Sequence, residues 1–257
     1  MNLQFDVNLA EHYKSKSQRA RVMSESWLHE NMFCPCCKNP RLEKFSNNKP
    51  VADVYCPKCG EIFELKSKEG VLGPKIVDGE YFTMIERIQS NTNPHLFVLQ
   101  YSPEFSVQNF YLVPKFFFVP AIIEKRKPLS QTARRAGWTG CNIFYDAIPR
   151  QGKIPVVSNG LPRGAEDVFA DYLHAAQLTT DNVAARGWMF DVLNCVNRIA
   201  ADEFCLDEMY RFESDLQALH KDNHNIRPKI RQQLQVLRDK GFIEFLSSGH
   251  YRKIQRP

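Results

Sequence analysis

The chain has 257 residues, of which 43% are hydrophobic and 25% are charged; this excludes a wholly disordered protein and allows one large domain or two of ordinary size. Its longest apolar run, Phe116 to Ile123, is too short to span a membrane and the N-terminus lacks the apolar core of a secretory signal, so we expect a cytoplasmic protein that enters no membrane. The net charge of +5, from 34 basic and 29 acidic residues, is too small to indicate a polyanionic partner by itself.

Local patterns in the N-terminal half predict, in chain order, one or two helices, two strands, a Gly-rich stretch, a helix and two further strands. These elements cover residues 8–30, 51–55 and 61–66, 70–79, 82–88, 96–99 and 110–113. The mixture of helices and strands indicates an α/β domain.

Five cysteines cluster between the first helix and the second strand. Cys34 and Cys37 form a C-x2-C pair, eighteen residues follow, and Cys56 and Cys59 form a second pair. Each pair makes a tight turn that directs two thiolates at one centre, and four thiolates complete a tetrahedral zinc site. The spacing predicts structural zinc, against the alternatives of disulfides or unrelated buried thiols. Cys36 leaves a choice between two thiols, although the x2 spacing favours Cys37.

The second cysteine pair separates the two predicted strands, so we expect it to form the turn of a hairpin. Pairing of Tyr55 with Ile62 is assumed for this hairpin. That register places Asp53 opposite Glu64, with Lys66 two residues along on the same face. Facing carboxylates are unfavourable unless a cation lies between them, and with a lysine they would bind Mg²⁺ and a phosphate and activate a water. The alternative is a solvated strand face with an ordinary Lys–Glu pair.

Positive charge is concentrated in two segments of the chain. Residues 115–153 and residues 225–257 each carry eight basic and two acidic residues, which gives each a net charge of +6. Two basic surfaces far apart in sequence favour a partner that is touched twice, and a phosphate backbone is the commonest such partner. The alternative for either segment is a solvated charged face.

The pattern changes at about residue 183, which predicts a first domain over 1–182 and a second over 183–257. The second domain shows three helical patterns and a hairpin, over residues 188–199, 206–219, 225–240 and 242–254. Three helices followed by a hairpin indicate a winged helix, whose third helix enters the major groove of DNA. The alternative is a winged helix that binds another protein.

The order of elements in the first domain resembles the PD-(D/E)xK nuclease core, with Glu64-Leu65-Lys66 as the E-x-K and Pro50 three positions before Asp53. Over nearly its whole length the sequence also resembles the DpnI family of restriction endonucleases, which cut G-A-T-C only when the adenine is N6-methylated. The resemblance is densest in the cysteine pairs and in residues 19–27, 50–53, 63–68, 132–138, 207–216 and 229–240.

The resemblance implies an α/β PD-(D/E)xK nuclease domain with an inserted four-cysteine zinc site, followed by an α+β winged-helix domain. Asp53 and Glu64 would hold Mg²⁺ with the backbone carbonyl of Leu65. Lys66 would position the water and stabilise charge at the phosphate. The zinc ligands would be Cys34, Cys37, Cys56 and Cys59. The enzyme would act on double-stranded DNA as a monomer with no obligatory protein partner, both domains would bind the methylated site, and cleavage would leave blunt ends.

Recognition of a methyl group is mainly a packing problem, because burial of one methyl is worth only about 1 kcal/mol. A pocket must therefore also read the adjacent base edges. In the first domain the candidates lie in a basic loop and are Arg134, Arg135 and Trp138, with Trp138 for the methyl pocket. In the third helix of the second domain Arg suits guanine and Gln suits adenine. The candidates there are Arg227, Arg231, Gln232 and Gln235.

Two other classes of protein remain as alternatives. A zinc-bearing winged-helix regulator would bind DNA without nuclease activity, and Asp53, Glu64 and Lys66 would be dispensable. A protein-interaction module would show no salt-dependent affinity for DNA, whereas binding through several phosphates weakens steeply with salt.

Overall fold

A computed structural model describes residues 1–45 and 52–254 of the chain. Pro50 and Val51, which belong to the predicted hairpin and nuclease motif, lie outside these described residues. The chain separates into two compact units, one formed by Met1–Asp146 with Gln151–Ala176 and the other by Ala147–Arg150 with Gln177–Pro257. The predicted domain boundary at 182/183 falls shortly after this division and stays a prediction.

The first unit contains both helices and strands. Its α-helices are α1 (Lys16–Asn31), α2 (Tyr81–Gln89) and α3 (Ala165–Ala176). Its strands are β1 (Glu43–Lys44), β2 (Val54–Tyr55), β3 (Ile62–Glu69), β4 (Lys75–Glu80), β5 (His95–Tyr101), β6 (Val107–Val113), β7 (Ile123–Lys125), β8 (Gly140–Phe144), β9 (Ile154–Ser158) and β10 (Leu161–Pro162). Short 3-10 helices include Val7–Ala10, Lys115–Phe117, Pro120–Ile122 and Arg150–Gly152.

A mixed seven-stranded sheet, in the order β1-β2-β3-β5-β6-β9-β10, is the framework of this unit. Strands β3 and β5 are parallel, and β5 is antiparallel to β6. The first five residues of β5 are all buried, so both faces of the sheet are covered at its centre. Helices α1 and α3 lie over one face, where Trp27 meets Phe110 and Tyr172 meets His95.

A row of stacked aromatic rings forms the core under α1. Phe97 at the centre of β5 stacks on Phe63 of β3, with the ring centroids 4.9 Å apart, and lies 5.0 Å from Phe110 of β6. All three side chains are fully buried. Aromatic pairs of this kind add to the large apolar area that each ring buries, so this row ties the three central strands together.

The opposite face of the sheet is approached by a smaller sheet in the order β4-β8-β7. A salt bridge between Lys66 on β3 and Asp78 on β4 joins the two sheets. The sequence does not predict strand β4, because residues 70–79 have the composition of a Gly-rich connecting stretch. The strand carries Asp78 and Gly79 at positions that break the apolar alternation, which hides it from a pattern search.

The second unit contains four helices and three strands within its described residues. The helices are α4 (Val183–Arg198), α5 (Leu206–Tyr210), α6 (Glu213–Leu219) and α7 (Ile226–Asp239), and the strands are β11 (Glu203–Cys205), β12 (Ile243–Ser247) and β13 (His250–Lys253). The strands form a sheet in the order β11-β13-β12. The helix predicted over 206–219 is broken into α5 and α6 at Arg211 and Phe212, and no Gly or Pro marks the break in the sequence.

The two faces of α7 are those predicted from its periodicity. Ile226, Ile230 and Leu234 are buried, while Arg227 and Arg231 are exposed. After the helix the chain passes through Gly241, whose φ of +77° is a left-handed conformation that favours glycine. The hairpin of β12 and β13 then follows, with Gly249 in its turn. Among the described residues, none of the helices combines the length and apolar character needed to cross a bilayer.

The aromatic row predicts a large difference between two Phe→Ala substitutions in the first unit. Phe97→Ala leaves a cavity among stacked rings and should lower the free energy of unfolding by about 3–5 kcal/mol. Phe82→Ala, at a side chain 58% exposed on α2, should cost less than about 1 kcal/mol. Urea titrations of the two variants measure the difference, and equal losses would contradict the assigned core.

Candidate functional site

The hairpin of β2 and β3 has the predicted register. Tyr55 pairs with Ile62 and Val54 pairs with Phe63, in antiparallel orientation. The second cysteine pair forms its turn, which is closed by hydrogen bonds from Cys56 N to Glu61 O at 2.8 Å and from Gly60 N to Cys56 O at 2.9 Å. Gly60 has a φ of +77°, a conformation that the turn requires and that other residues adopt at a cost.

Four thiols come together beside this turn. Those of Cys34, Cys37, Cys56 and Cys59 lie within 4.8 Å of one another, and the Cys34–Cys59 and Cys37–Cys56 sulfur pairs are each 3.6 Å apart. Tetrahedral coordination with zinc–sulfur bonds of about 2.3 Å places sulfurs about 3.8 Å apart, close to these values. None of the eight cysteines, all of which are described, forms a disulfide. The cluster therefore could bind zinc.

The fifth cysteine of this region lies outside the cluster. The Sγ of Cys36 is 3.7 Å from Nε2 of His95, which is fully buried. Nδ1 of His95 accepts a hydrogen bond from the backbone N of Lys115, so Nε2 carries the proton and donates to Glu61 Oε2 at 3.1 Å. The hydrogen bond from His95 and the ammonium of Lys115 lower the pKa of Glu61 to about 2. This network fastens the cysteine turn to β5.

The predicted acidic residues and lysine are brought together on the hairpin. Asp53 Oδ2 accepts a hydrogen bond from the backbone N of Leu65 at 2.7 Å. Glu64 Oε1 lies 2.5 Å from Nζ of Lys66. These contacts are those expected when Asp53 and Glu64 project from the same face of the hairpin.

The surroundings shift the pKa of Asp53, Glu64 and Lys66. Burial raises the pKa of Asp53, and burial together with the nearby carboxylate of Asp78 raises the pKa of Glu64 to about 7. Burial opposes the charged form of Lys66, but the carboxylates of Asp78 and Glu64 outweigh it, so its pKa lies above the ordinary value. One ammonium thus contacts the carboxylates of Glu64 and Asp78, with that of Asp53 nearby, an arrangement that a bound cation would stabilise.

The third carboxylate of this group, Asp78, was missed by the sequence analysis. Its side chain is 3% exposed, and its Oδ1 lies 2.7 Å from Nζ of Lys66. It lies on β4, the strand that the apolar alternation of the sequence does not predict. The one local signal is an acidic residue two positions after Ile76, on the same side of the strand as that buried apolar residue.

A cleft of about 770 Å³ opens beside these residues. Its wall combines the carboxylates with residues of α2 and of the basic loop before β8. The lining residues are Ala52, Asp53, Glu64, Asp78, Gly79, Glu80, Thr83, Met84, Arg87, Asn93, Pro94, Arg135 and Trp138. Two of the three candidate DNA contacts of the first unit thus share a cleft with the acidic residues. Arg134, the third, is exposed on the same loop and is not part of the lining.

Trp138 is held in a defined position at this cleft. The guanidinium of Arg135 lies 4.8 Å from the centroid of the indole ring. Gly140 lies against the ring, since a Cβ at that position would come within 2.9 Å of Cη2 and 3.0 Å of Cζ3. The sequence suggested a basic loop with one aromatic residue, and the structure adds the contacts that fix the aromatic ring.

The candidate DNA contacts of the second unit lie on the exposed side of α7. Tyr210 of α5 meets two of them, because Arg227 lies over its ring at 4.9 Å and Arg231 Nη1 donates to its hydroxyl at 2.7 Å. Gln232 accepts a hydrogen bond from Lys229, and Gln235 is exposed.

The hairpin of β12 and β13 offers less positive charge than a count along the sequence indicates. Lys253 is only 7% exposed, and its ammonium donates to the carbonyl of Ile199 inside the unit. Arg252 forms salt bridges with Glu203 and Glu244. Lys253 occupies an inward position of β13, so its charge, although counted in the basic segment 225–257, lies inside the unit.

Comparison with known protein families assigns the chain. Residues 1–181 match the family described as "DpnI: Dam-replacing family", and residues 184–253 match "DpnI_C: Dam-replacing HTH domain". The chain belongs to the DpnI family. DpnI proteins are restriction endonucleases, so membership supports a nuclease, and the helix-turn-helix domain supports DNA binding by the second unit.

The cysteine cluster of this DpnI-family chain predicts one zinc ion per molecule. The purified protein should contain about one equivalent of zinc by elemental analysis, because four thiols make a closed site. Cys56→Ser should lose the metal and lower the thermal midpoint. Cys36→Ser is the matched control and should keep the zinc, since this thiol faces His95. Equal zinc loss in both variants would show that the ligand set is wrong.

Proposed function

We propose that the chain is a methylation-dependent type II restriction endonuclease of the PD-(D/E)xK class. It would cut both strands of G-A-T-C containing N6-methyladenine and depend on Mg²⁺, with zinc as a structural ion. The observation that carries the proposal is the group of Asp53, Glu64 and Lys66: the two carboxylates line a cleft that also contains Trp138, and Lys66 contacts Glu64. Chemistry and recognition of the modified base would then share one site.

Each member of the acidic group has a chemical role in this proposal. Asp53, Glu64 and the backbone carbonyl of Leu65 would hold Mg²⁺, which supplies Lewis-acid stabilisation of charge at the scissile phosphate. Lys66, kept protonated by its carboxylate neighbours, would orient the attacking water and donate a hydrogen bond to the phosphate oxygen that gains charge. Asp53 is itself oriented by the backbone N of Leu65.

Methyl recognition is assigned to Trp138 because its ring is flanked by Arg135 and Gly140 and lines the same cleft as the acidic residues. A flat apolar surface gains contact when a methyl group is added to the adenine edge. The gain from one methyl is small, so Arg135 and Arg134 would add contacts to the neighbouring phosphates or base edges. A second reader in the other unit would multiply the discrimination.

The second reader is assigned to α7. Tyr210 restrains Arg227 and Arg231 before DNA arrives, so less side-chain entropy is lost when they bind. Arginine matches the O6 and N7 atoms of guanine, and Gln232 or Gln235 matches adenine. These four side chains project from the exposed face of one helix, as a major-groove reader requires.

The nuclease is tested with two plasmids that differ only in adenine methylation at G-A-T-C. With Mg²⁺, the protein should cut the methylated plasmid into G-A-T-C-sized fragments with blunt ends and leave the other intact. Gel electrophoresis reports the result. If both plasmids are bound and neither is cut, the protein is a DNA-binding regulator without nuclease activity.

Substitutions within β3 connect that activity to the acidic group. Glu64→Gln should abolish cleavage while DNA binding in Ca²⁺ persists, because only the cation ligand is removed. Glu69→Gln, at an exposed position of the same strand, is the matched control and should cut normally. Normal cleavage by Glu64→Gln would remove this residue from the site.

The assignment of Arg231 predicts a distinct salt signature. Arg231→Ala should weaken binding of the full-length protein to methylated G-A-T-C by about 1–3 kcal/mol, as expected for a base contact. The slope of log affinity against log salt should change little, whereas loss of a phosphate contact reduces it by about 0.9. The control is Arg198→Ala, which breaks an ion pair between α4 and Asp215 of α6, outside α7. This variant should leave the affinity for DNA unchanged. Fluorescence anisotropy at several salt concentrations measures both quantities.

A further inference from the structure

Asp78 occupies a position of β4 where an apolar residue is expected. Lys75 and Val77 are exposed, whereas Ile76 and Asp78 are buried on the other side of the strand. A buried carboxylate is unfavourable unless a charged partner and hydrogen bonds meet it. The charge of Asp78 must therefore be explained by what surrounds it.

One oxygen of Asp78 has partners and the other has none. Oδ1 lies 2.7 Å from Nζ of Lys66 and accepts a hydrogen bond from the backbone N of Gly79, also at 2.7 Å. Oδ2 is buried and has no hydrogen-bond partner among the described residues. The pairing of β4 with β8 is irregular between Asp78 and Glu80, and bulges of this kind re-aim a side chain next to an active site.

Lys66 is shared between two carboxylates that lie in different sheets. Its ammonium is 2.5 Å from Glu64 and 2.7 Å from Asp78, and both carboxylates line the cleft. A cation bound by Glu64 would compete for the oxygen that the ammonium now contacts. Asp78 would then be the partner that keeps Lys66 in place.

We propose that Asp78 is a positioning residue for phosphodiester hydrolysis, holding the Lys66 ammonium beside the cleft while Glu64 binds the cation. This inference rests on the proposed nuclease function and adds a residue to it. Without the charge of Asp78, the one carboxylate still in contact with Lys66 among the described residues is that of Glu64. The ammonium and the cation would then compete for the carboxylate of Glu64, and the ammonium would move away from the attacking water.

Two other roles for Asp78 predict different behaviour. A cation ligand would affect the Mg²⁺ concentration needed for cleavage, and its loss would be offset by more Mg²⁺. A purely structural ion pair between β3 and β4 would affect stability and DNA binding together with cleavage. A positioning role affects the maximal rate alone.

The test compares three variants of the full-length protein. Asp78→Asn removes the charge and keeps the shape, and Asp78→Glu keeps the charge. Asp171→Asn is the matched control, because it breaks a 2.7 Å ion pair with Arg163 in the same unit, away from the cleft lining. The measurements are the single-turnover cleavage rate of a methylated G-A-T-C duplex at increasing Mg²⁺, the dissociation constant for that duplex in Ca²⁺, and the thermal midpoint.

The expected result is a loss confined to the rate. Asp78→Asn should lower the maximal rate about 10- to 100-fold at saturating Mg²⁺, as is usual when a group that orients an active-site residue is removed. Its dissociation constant in Ca²⁺ should stay within about threefold of the original, because uniform binding is not affected. Asp78→Glu should recover part of the rate, and Asp171→Asn should cut at the original rate.

Three results would overturn the inference. They are an unchanged rate in Asp78→Asn, a rate restored by raising Mg²⁺, and a loss of rate matched by weaker binding and a lower midpoint. In each of these cases the unsubstituted protein cuts, so the proposed function stands. If the unsubstituted protein does not cut methylated DNA, the proposed function fails and this inference fails with it.

Discussion

The register of the β2–β3 hairpin is the constraint on which the candidate site depends. Side chains alternate along a strand, so a slip of one residue would carry Glu64 and Lys66 to the aromatic core and Phe63 to the cleft. The cysteine turn fixes the register at one end, and the stacking of Phe63 on Phe97 fixes it at the centre of the sheet. Glu61, held by His95 and Lys115, adds a third restraint. The positions of the cysteine turn, the aromatic core and the acidic group thus all depend on one strand pairing.

The same hairpin explains why the sequence was informative about this region. Cysteine spacing, strand alternation and the assumed pairing of Tyr55 with Ile62 all concern residues close together in the chain, and the structure confirms that pairing. The buried face of α7 was equally accessible, because helical periodicity is a local property. Local patterns therefore predicted the hairpin and helix α7, and the resemblance to a known family was borne out by the match over both parts of the chain.

What the sequence did not predict depends on contacts between distant segments. Asp78 reaches Lys66 only because β4 joins a second sheet, and that strand lacks an apolar pattern of its own. The break between α5 and α6 carries no Gly or Pro signal in the sequence, and Lys253 points inward to the carbonyl of Ile199, a partner far back in the chain. Because Lys253 points inward, a charge count along the chain overstates the positive charge exposed by the β12–β13 hairpin. The spacing favoured Cys37 over Cys36 at the cluster, but the partner of Cys36, His95, lies far along the sequence and was not predicted.

The contact between Gly140 and Trp138 has a consequence for how such a protein could diverge. Any side chain at position 140 would meet the indole ring at about 3 Å, so the ring would have to move. The place of the proposed methyl reader is therefore set by a residue that carries no functional group. A substitution at position 140 would move the proposed methyl reader while leaving the proposed hydrolytic residues unchanged.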